Sequence, residues 1–239
     1  MIASILPRTA RLPPGQKRLL PLLRPSVDLG FVLYGGTAIS LYLGHRRSID
    51  FDFFHDARLD KSAIRAAFAF MPKAQTLQDT RNTLVVSVPE RELRSRNPVK
   101  VSFFGDLAFG RIADPSLTRD GALLLASLDD LMAHKLKVIL QRAEKKDYQD
   151  IAAMIRAGGS LARGLAAARL FFGNVFQPAV ALKALAYFQG GDLEDLSSAD
   201  RRTLIAAASS VGRLPVVRLR SRRLAIPIAS DTQRGATTR

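Results

Sequence analysis

The 239-residue chain contains no cysteine. That absence excludes a disulfide framework, a thiolate metal site and a cysteine nucleophile, and it suits a reducing compartment. No apolar run approaches the roughly 20 residues that a helix needs to cross a bilayer. The opening MIASILPRTARLPPGQ also lacks a long apolar segment and a small-residue cleavage pattern. The expectation is a cytoplasmic protein without a membrane partner. Acidic residues are scarce at the ends: residues 1–25 hold five Arg or Lys and no acid, and residues 211–239 hold seven against Asp231 alone. Most of the net charge of +15 therefore lies in these two stretches. A basic surface favours nucleic acid through phosphate neutralisation, and a solvated tail accounts for the C-terminal run equally well. The three histidines, His45, His55 and His134, have no metal-ligand spacing, and the chain has no internal repeat.

An apolar content of 47% supports one α/β domain with a helical appendage. Residues 14–29, punctuated by Pro14, Pro21 and Pro25, predict short helical turns that bury Leu19, Leu20, Leu22 and Leu23. Phe31 to Tyr34 reads as a buried strand ended by two glycines, Thr37 to Leu43 as a short helix stopped at Gly44, and Ile49 to Phe54 as an alternating strand. A helix follows over 60–71 with Asp60 as its cap. Strands over 83–88 and 99–104 pair antiparallel around the polar turn PERELRSRNP, and a short strand is expected at 123–125. From Ser127 the pattern turns helical: SLDDLMAHKLKVILQR, KKDYQDIAAMIRAGG, then 160–173, 177–188 and 198–210. The fold class is α/β (α+β), with a core over 14–158 and a helical C-terminal subdomain over 159–210 that begins at Gly158-Gly159. A basic, poorly ordered tail is expected over 211–239.

Chemistry concentrates in YGGTAISLYLGHRRSIDFDFF. Gly35, Gly36 and Thr37 form a strand-to-helix turn, where backbone amides can approach a phosphate without a β-carbon in the way and a helix N-terminus adds positive potential. An ordinary turn has the same composition. Asp50 and Asp52, two apart on a strand, leave by one face and can converge on a hard cation, while Ile49, Phe51 and Phe53 fill the other. Arg46 and Arg47 can contact phosphate or nucleic acid, or neutralise the two aspartates. Winding the helix after Ser127 places Lys135 in the apolar stripe of Leu128, Leu131, Met132 and Ile139, where an ammonium is costly unless it meets an anion. A triphosphate, or Asp50 and Asp52, could serve, and so could snorkelling to solvent. Asp147 and Asp150 border the inward face of the next helix and could orient Lys135, bind metal or act as a base. Arg142, Glu144, Lys145 and Lys146 read as a solvated charged stretch.

Three ordered blocks, YGGTAISLYLGHRRSIDFDFF, VKVSFF and SLDDLMAHKLKVILQRAEKKDYQDI, resemble the AbiEii/AbiGii-type nucleotidyltransferases of the DNA polymerase β-like superfamily, over roughly residues 15–190. The resemblance implies a mixed-sheet nucleotidyltransferase core followed by helices, and a toxin of a toxin–antitoxin or abortive-infection system. It assigns Gly35, Gly36 and Thr37 to the triphosphate, Asp50 and Asp52 to Mg²⁺ or Mn²⁺, Lys135 to phosphate, and Asp147 and Asp150 to the family's acidic positions. It further implies an NTP substrate, an RNA acceptor such as tRNA and an antitoxin protein as partner. One departure stands out: Ser102 occupies the place where related enzymes carry a third carboxylate. The alternative is therefore a protein of this fold that binds RNA or a partner without turnover.

Overall fold

The computed structural model describes residues 2–227. Alternating side chains decide its centre. In the strand Asp50–Phe54, Phe51 and Phe53 are fully buried, whereas Asp50, Asp52 and Phe54 leave by the opposite face and stay half-buried. The strand Val99–Phe104 lies beside it in parallel, with Asp50 opposite Lys100, Asp52 opposite Ser102 and Phe54 opposite Phe104. Val99, Val101 and Phe103 continue the buried face.

Along the chain the elements are β1 (Ser4–Ile5), α1 (Pro14–Leu19), α2 (Pro25–Asp28), β2 (Val32–Tyr34), α3 (Gly35–Leu43), β3 (Asp50–Phe54), α4 (Lys61–Ala67), β4 (Gln75–Thr80), β5 (Thr83–Val88), α5 (Glu90–Leu93), β6 (Val99–Phe104), β7 (Ser116–Thr118), β8 (Leu124–Leu125), α6 (Leu128–Val138), α7 (Lys145–Arg156), α8 (Leu161–Phe172), α9 (Pro178–Ala184) and α10 (Ser198–Ser210). The strands among the described residues form one mixed sheet in the order β1-β7-β8-β2-β3-β6-β5-β4. Within it β2 runs antiparallel to β3, and β5 antiparallel to β6 as their alternation predicts. Ser127 caps α6 reciprocally: its hydroxyl accepts from the Asp130 amide at 3.1 Å and donates to the Asp130 carboxylate at 2.7 Å. The later helices pack on α6 and α7 and are tied to them by Arg163–Asp129 and Arg156–Asp200 ion pairs, both at 2.7 Å. No single helix among the described residues is long and apolar enough to cross a membrane.

Several expectations are corrected. Ile49 precedes β3 and is 56% exposed, so it adds nothing to the buried face. Leu22 is exposed because residues 20–23 form a 3₁₀ turn, which rotates it away from the stripe an α-helix would present. Strand β4 gave no signal because it is an edge strand, exposed throughout, and its QTLQDT composition carries no apolar alternation. The expected helix over 60–71 ends at Ala67, and the polar turn before β6 contains α5.

The expected poorly ordered tail is corrected over 211–227. The amide of Arg111 donates to the Ser221 carbonyl at 2.9 Å, and its guanidinium donates to the carbonyls of Arg223 and Ala225. Arg220 pairs with Asp114 at 2.7 Å, Leu224 is buried, and the Leu224 amide donates to Asp56 at 3.0 Å. One buried leucine and satisfied backbone groups hold a stretch whose composition reads as solvated. The rest of that expectation, 228–239, lies outside the described residues. Arg111→Ala should cost about 1–3 kcal/mol, through the loss of hydrogen bonds from a charged donor to two part-buried carbonyls. Limited trypsin digestion should then cut at Arg218, Arg220, Arg222 and Arg223 faster than in the wild type; equal cleavage rates would show that this arginine does not hold the segment.

Candidate functional site

The turn from β2 into α3 is shaped by two close approaches. Gly35 opens α3 with φ +74°, and a Cβ there would lie 2.8 Å from Asp52 Oδ2. A Cβ at Gly36 would collide with the Arg46 guanidinium. Bare backbone is therefore what lets a carboxylate and a guanidinium close on the N-terminus of a nine-residue helix, whose first amides have no partner within the helix. Thr37 is corrected. It is buried, and its hydroxyl donates to the Asp50 carbonyl and meets the Ser48 hydroxyl at 2.8 Å, so it pins the turn to the start of β3 and does not line the cavity.

The two strand carboxylates sit on that cavity with little compensation. Lys100 Nζ lies 3.2 Å from Asp50 Oδ2 across the strand pair, with both side chains partly exposed. Burial raises the Asp52 pKa and the neighbouring Asp50 charge raises it further, while the Ser102 hydroxyl, Lys100 and Lys135 pull it part of the way back. An ionised carboxylate held above its ordinary pKa is poised to receive positive charge. Ser102 is buried opposite Asp52, so β6 supplies no third acid.

The helical half is built around Asp150. Its carboxylate is fully buried and takes three donors: His45 Nε2 at 2.7 Å, Arg46 through Nε at 2.6 Å and Nη2 at 2.8 Å, and Lys135 Nζ at 2.6 Å. Lys135 also reaches Asp147 Oδ1 at 2.6 Å, and Arg142 Nε reaches Asp147 Oδ2 at 2.8 Å. Burial by itself would raise both acids. For Asp150 the charges of Lys135 and Arg46 and the His45 hydrogen bond overcome it, and for Asp147 Lys135 and Arg142 do; both carboxyls end below their ordinary range. Lys135 is indeed buried among apolar residues of α6, and the anions it meets there are Asp147 and Asp150 rather than Asp50 and Asp52.

These pieces enclose a cavity of about 770 Å³. Of the residues singled out from sequence, Gly35, Gly36, Arg46, Arg47, Asp50, Asp52 and Lys135 line it, whereas Thr37, Asp147 and Asp150 do not. The last two are corrected as candidates for metal binding or base chemistry, because every carboxylate oxygen is engaged by a cation and shut off from the cavity. Arg46 pairs with Asp150, 104 residues away, and leaves Asp50 and Asp52 free of it. Sequence reasoning missed Lys100, Arg142, Lys146 and the wall residues Phe54, Phe104 and His134. Cross-strand register identifies Lys100, Phe54 and Phe104; nothing local marks Arg142 off from its charged neighbours. Six cations, Arg46, Arg47, Lys100, Lys135, Arg142 and Lys146, line the cavity beside Asp50 and Asp52, and Asp147, Asp150 and Glu144 pair with four of them from outside it, so the wall presents basic groups with little net surplus. No cluster of three metal-ligating side chains occurs among the described residues.

Residues 19–217 match the family model described as nucleotidyl transferase AbiEii toxin, type IV toxin–antitoxin system. An uncharacterized protein of Aquifex aeolicus (strain VF5) is 29% identical over 131 residues, 54% of this chain. The chain spans 59% of that relative's length. Among solved structures, JHP933 from Helicobacter pylori aligns with a TM-score of 0.54 at 15% identity, covering 82% of this chain and 89% of that one. MenT4, a nucleotidyltransferase toxin from Mycobacterium tuberculosis H37Rv, aligns with a TM-score of 0.56 at 17% identity, covering 83% and 82%. At these identities the structures establish a shared fold.

Asp150→Ala should cost about 3–5 kcal/mol, because it leaves the part-buried Arg46 without its anion and takes one of the two anions from buried Lys135. The sign with pH follows from the lowered pKa values of Asp150 and Asp147: their stabilisation is complete above the unfolded carboxylate pKa of about 3.9 and is lost as pH falls through the folded values. Urea midpoints measured from neutral pH into acid should fall more steeply for the wild type than for the variant. Parallel curves would remove Asp150 as the source of the acid sensitivity.

Proposed function

Because the chain belongs to the nucleotidyl transferase AbiEii toxin family, we propose that it transfers a nucleoside monophosphate from a nucleoside triphosphate to RNA, with tRNA as the acceptor class and an antitoxin protein as its partner. The observation that carries this reading is a single cavity bringing together the Gly35-Gly36 turn, the under-compensated pair Asp50 and Asp52, and Lys135. Two carboxylates with oxygen ligands alone suit Mg²⁺ or Mn²⁺. Mg²⁺ commonly takes one or two protein carboxylates and completes its shell with phosphate oxygens and water, so the lack of a third acid is compatible with it. The raised pKa of Asp52 points the same way, since a cation at the pair would relieve the repulsion that burial now enforces.

The bound cation would polarise the α-phosphoryl oxygen and offset charge on the departing pyrophosphate. The chain's own groups do the rest by positioning. The free amides at the start of α3 and the Arg46 guanidinium over Gly36 hold the outer phosphates. Lys135, held at the cavity wall by Asp147 and Asp150, presents its charge to the same phosphates. In this reading Asp147 and Asp150 act through Lys135 and Arg46 and never touch the acceptor. Arg47, Lys100, Arg142 and Lys146, at least partly exposed on the cavity wall, give an RNA backbone its counter-charge.

Asp50→Asn is the clean test, because Lys135→Ala also takes a cation from two buried carboxylates and tests folding as much as chemistry. With labelled NTPs, Mg²⁺ and tRNA, Asp50→Asn should lose label transfer by at least about a hundredfold, and chelation with EDTA should do the same to the wild type. Full activity in Asp50→Asn would sink the site assignment. The serine at 102 favours a second reading, binding without turnover; salt-sensitive tRNA binding with no transfer by the wild type would select it. Stability offers an independent check. Asp52→Asn removes a buried repulsive charge and should raise the urea stability of the ligand-free protein by about 0.5–2 kcal/mol, the usual return when a functional strain is released, while abolishing transfer.

A further inference from the structure

Two half-exposed phenylalanines inside a charged cavity have no role in the chemistry above. Phe54 and Phe104 are cross-strand partners, and they share a sheet face with the residues two positions earlier on each strand, Asp52 and Ser102. One face of this strand pair thus changes from Asp50 and Lys100, through Asp52 and Ser102, to an aromatic pair at its far end. The step from Asp52 to Phe54 spans about 7 Å along the strand, comparable to the width of a ribose.

The aromatic end is built rather than incidental. Tyr34 stacks on one side of Phe54 with ring centroids 4.6 Å apart at 14°, and Phe104 stands edge-on to Phe54 at 5.5 Å and 86°. His134 closes the back, edge-on to Tyr34 at 4.9 Å, and its Nε2 is buried without a hydrogen-bond partner. Burial drives the His134 pKa down to about 3, so this end of the cavity carries a neutral ring where the other carries cations. Along the two strands the only cation on the cavity is Lys100, at the end remote from the phenylalanines. Leu131 and Val138 of α6 add apolar wall. Such an asymmetry orients a ligand that is anionic at one end and flat and aromatic at the other.

We propose that Phe54 and Phe104 form the floor of a nucleobase subsite, on which the base of the nucleoside triphosphate packs while its phosphates lie at the Gly35-Gly36 turn. Contact with the face of an aromatic ring is tolerant of base identity, so this floor supplies affinity and orientation. The inference rests on the triphosphate occupying the glycine turn, and the test separates the two.

Calorimetric titration in Mg²⁺ buffer compares inorganic tripolyphosphate with the four nucleoside triphosphates, using the full chain and the variants Phe104→Ala and Phe104→Leu. The wild type should bind tripolyphosphate and bind the nucleotides more tightly. Phe104→Ala should weaken the nucleotides about tenfold and leave tripolyphosphate unchanged, the loss expected when an aromatic partner of a base is truncated. Phe104→Leu, which keeps bulk but not the ring, should fall between the two. Unchanged tripolyphosphate binding in the variants also reports that the fold is intact. If tripolyphosphate binds all three proteins and nucleotide affinity does not move, the base lies elsewhere and the subsite is overturned alone. If the wild type binds nucleotides but not tripolyphosphate, the phosphate assignment of the glycine turn falls, and this subsite with it.

Discussion

The carboxylate of Asp150 is the constraint on which the site depends. A fully buried carboxylate survives only if strong donors replace its lost hydration, and here they come from two other parts of the chain. His45 and Arg46 belong to the loop that leads from α3 into β3, and Lys135 belongs to α6, while Asp150 itself sits on α7. One side chain therefore joins the cavity-facing edge of the sheet to the helical layer. It also dictates where two cavity cations stand, since Arg46 lies over Gly36 only while both of its donating nitrogens stay on Asp150.

The four aspartates around the cavity divide by how fully they are compensated. Asp147 and Asp150 are saturated with cations and have lowered pKa values; they stabilise the fold and have no free oxygen for a ligand. Asp50 and Asp52 have one direct ion pair between them, Lys100 on Asp50, and Asp52 has a raised pKa. The same residue type on adjoining elements is thus spent on structure in one pair and held in a costly state in the other. Uncompensated charge facing a cavity is a feature that folding alone does not favour, which is why this pair, rather than the better-ordered one, points to chemistry.

Much of this was legible before any coordinates. The alternation of DFDFF fixes which face holds the carboxylates, and the 3.6-residue period of α6 puts Lys135 among leucines; both are local rules, and both hold. What sequence could not show was pairing across long separations. Lys135 needed an anion, but choosing Asp147 and Asp150 over Asp50 and Asp52 depends on how α7 packs against α3 and α6. Thr37 looked like a phosphate donor because hydroxyls at helix starts often are, yet β3 lies close enough to take it. The edge strand β4 and the strap formed by 211–227 are invisible for a related reason: backbone hydrogen bonds hold β4, and the strap is held by one buried leucine and by Arg111, Asp56 and Asp114 from far along the chain, none of which leaves a periodic mark.

The serine opposite Asp52 can be read through the same electrostatics. An acid at position 102 would set a third carboxylate beside a residue whose pKa burial and one neighbour already raise, and the cations that oppose this, chiefly Lys100 and Lys135, do not cancel it. The serine instead places a neutral hydroxyl opposite Asp52 that lowers its pKa and so keeps it ionised more easily. On the proposed reading, a cation held by two carboxylates would draw more of its coordination shell from phosphate, so occupancy of the carboxylates and of the glycine turn would be mutually dependent. Under the proposed function, cation and nucleotide would then bind as a single event rather than two, with the Asp150 hub holding the opposite wall in place.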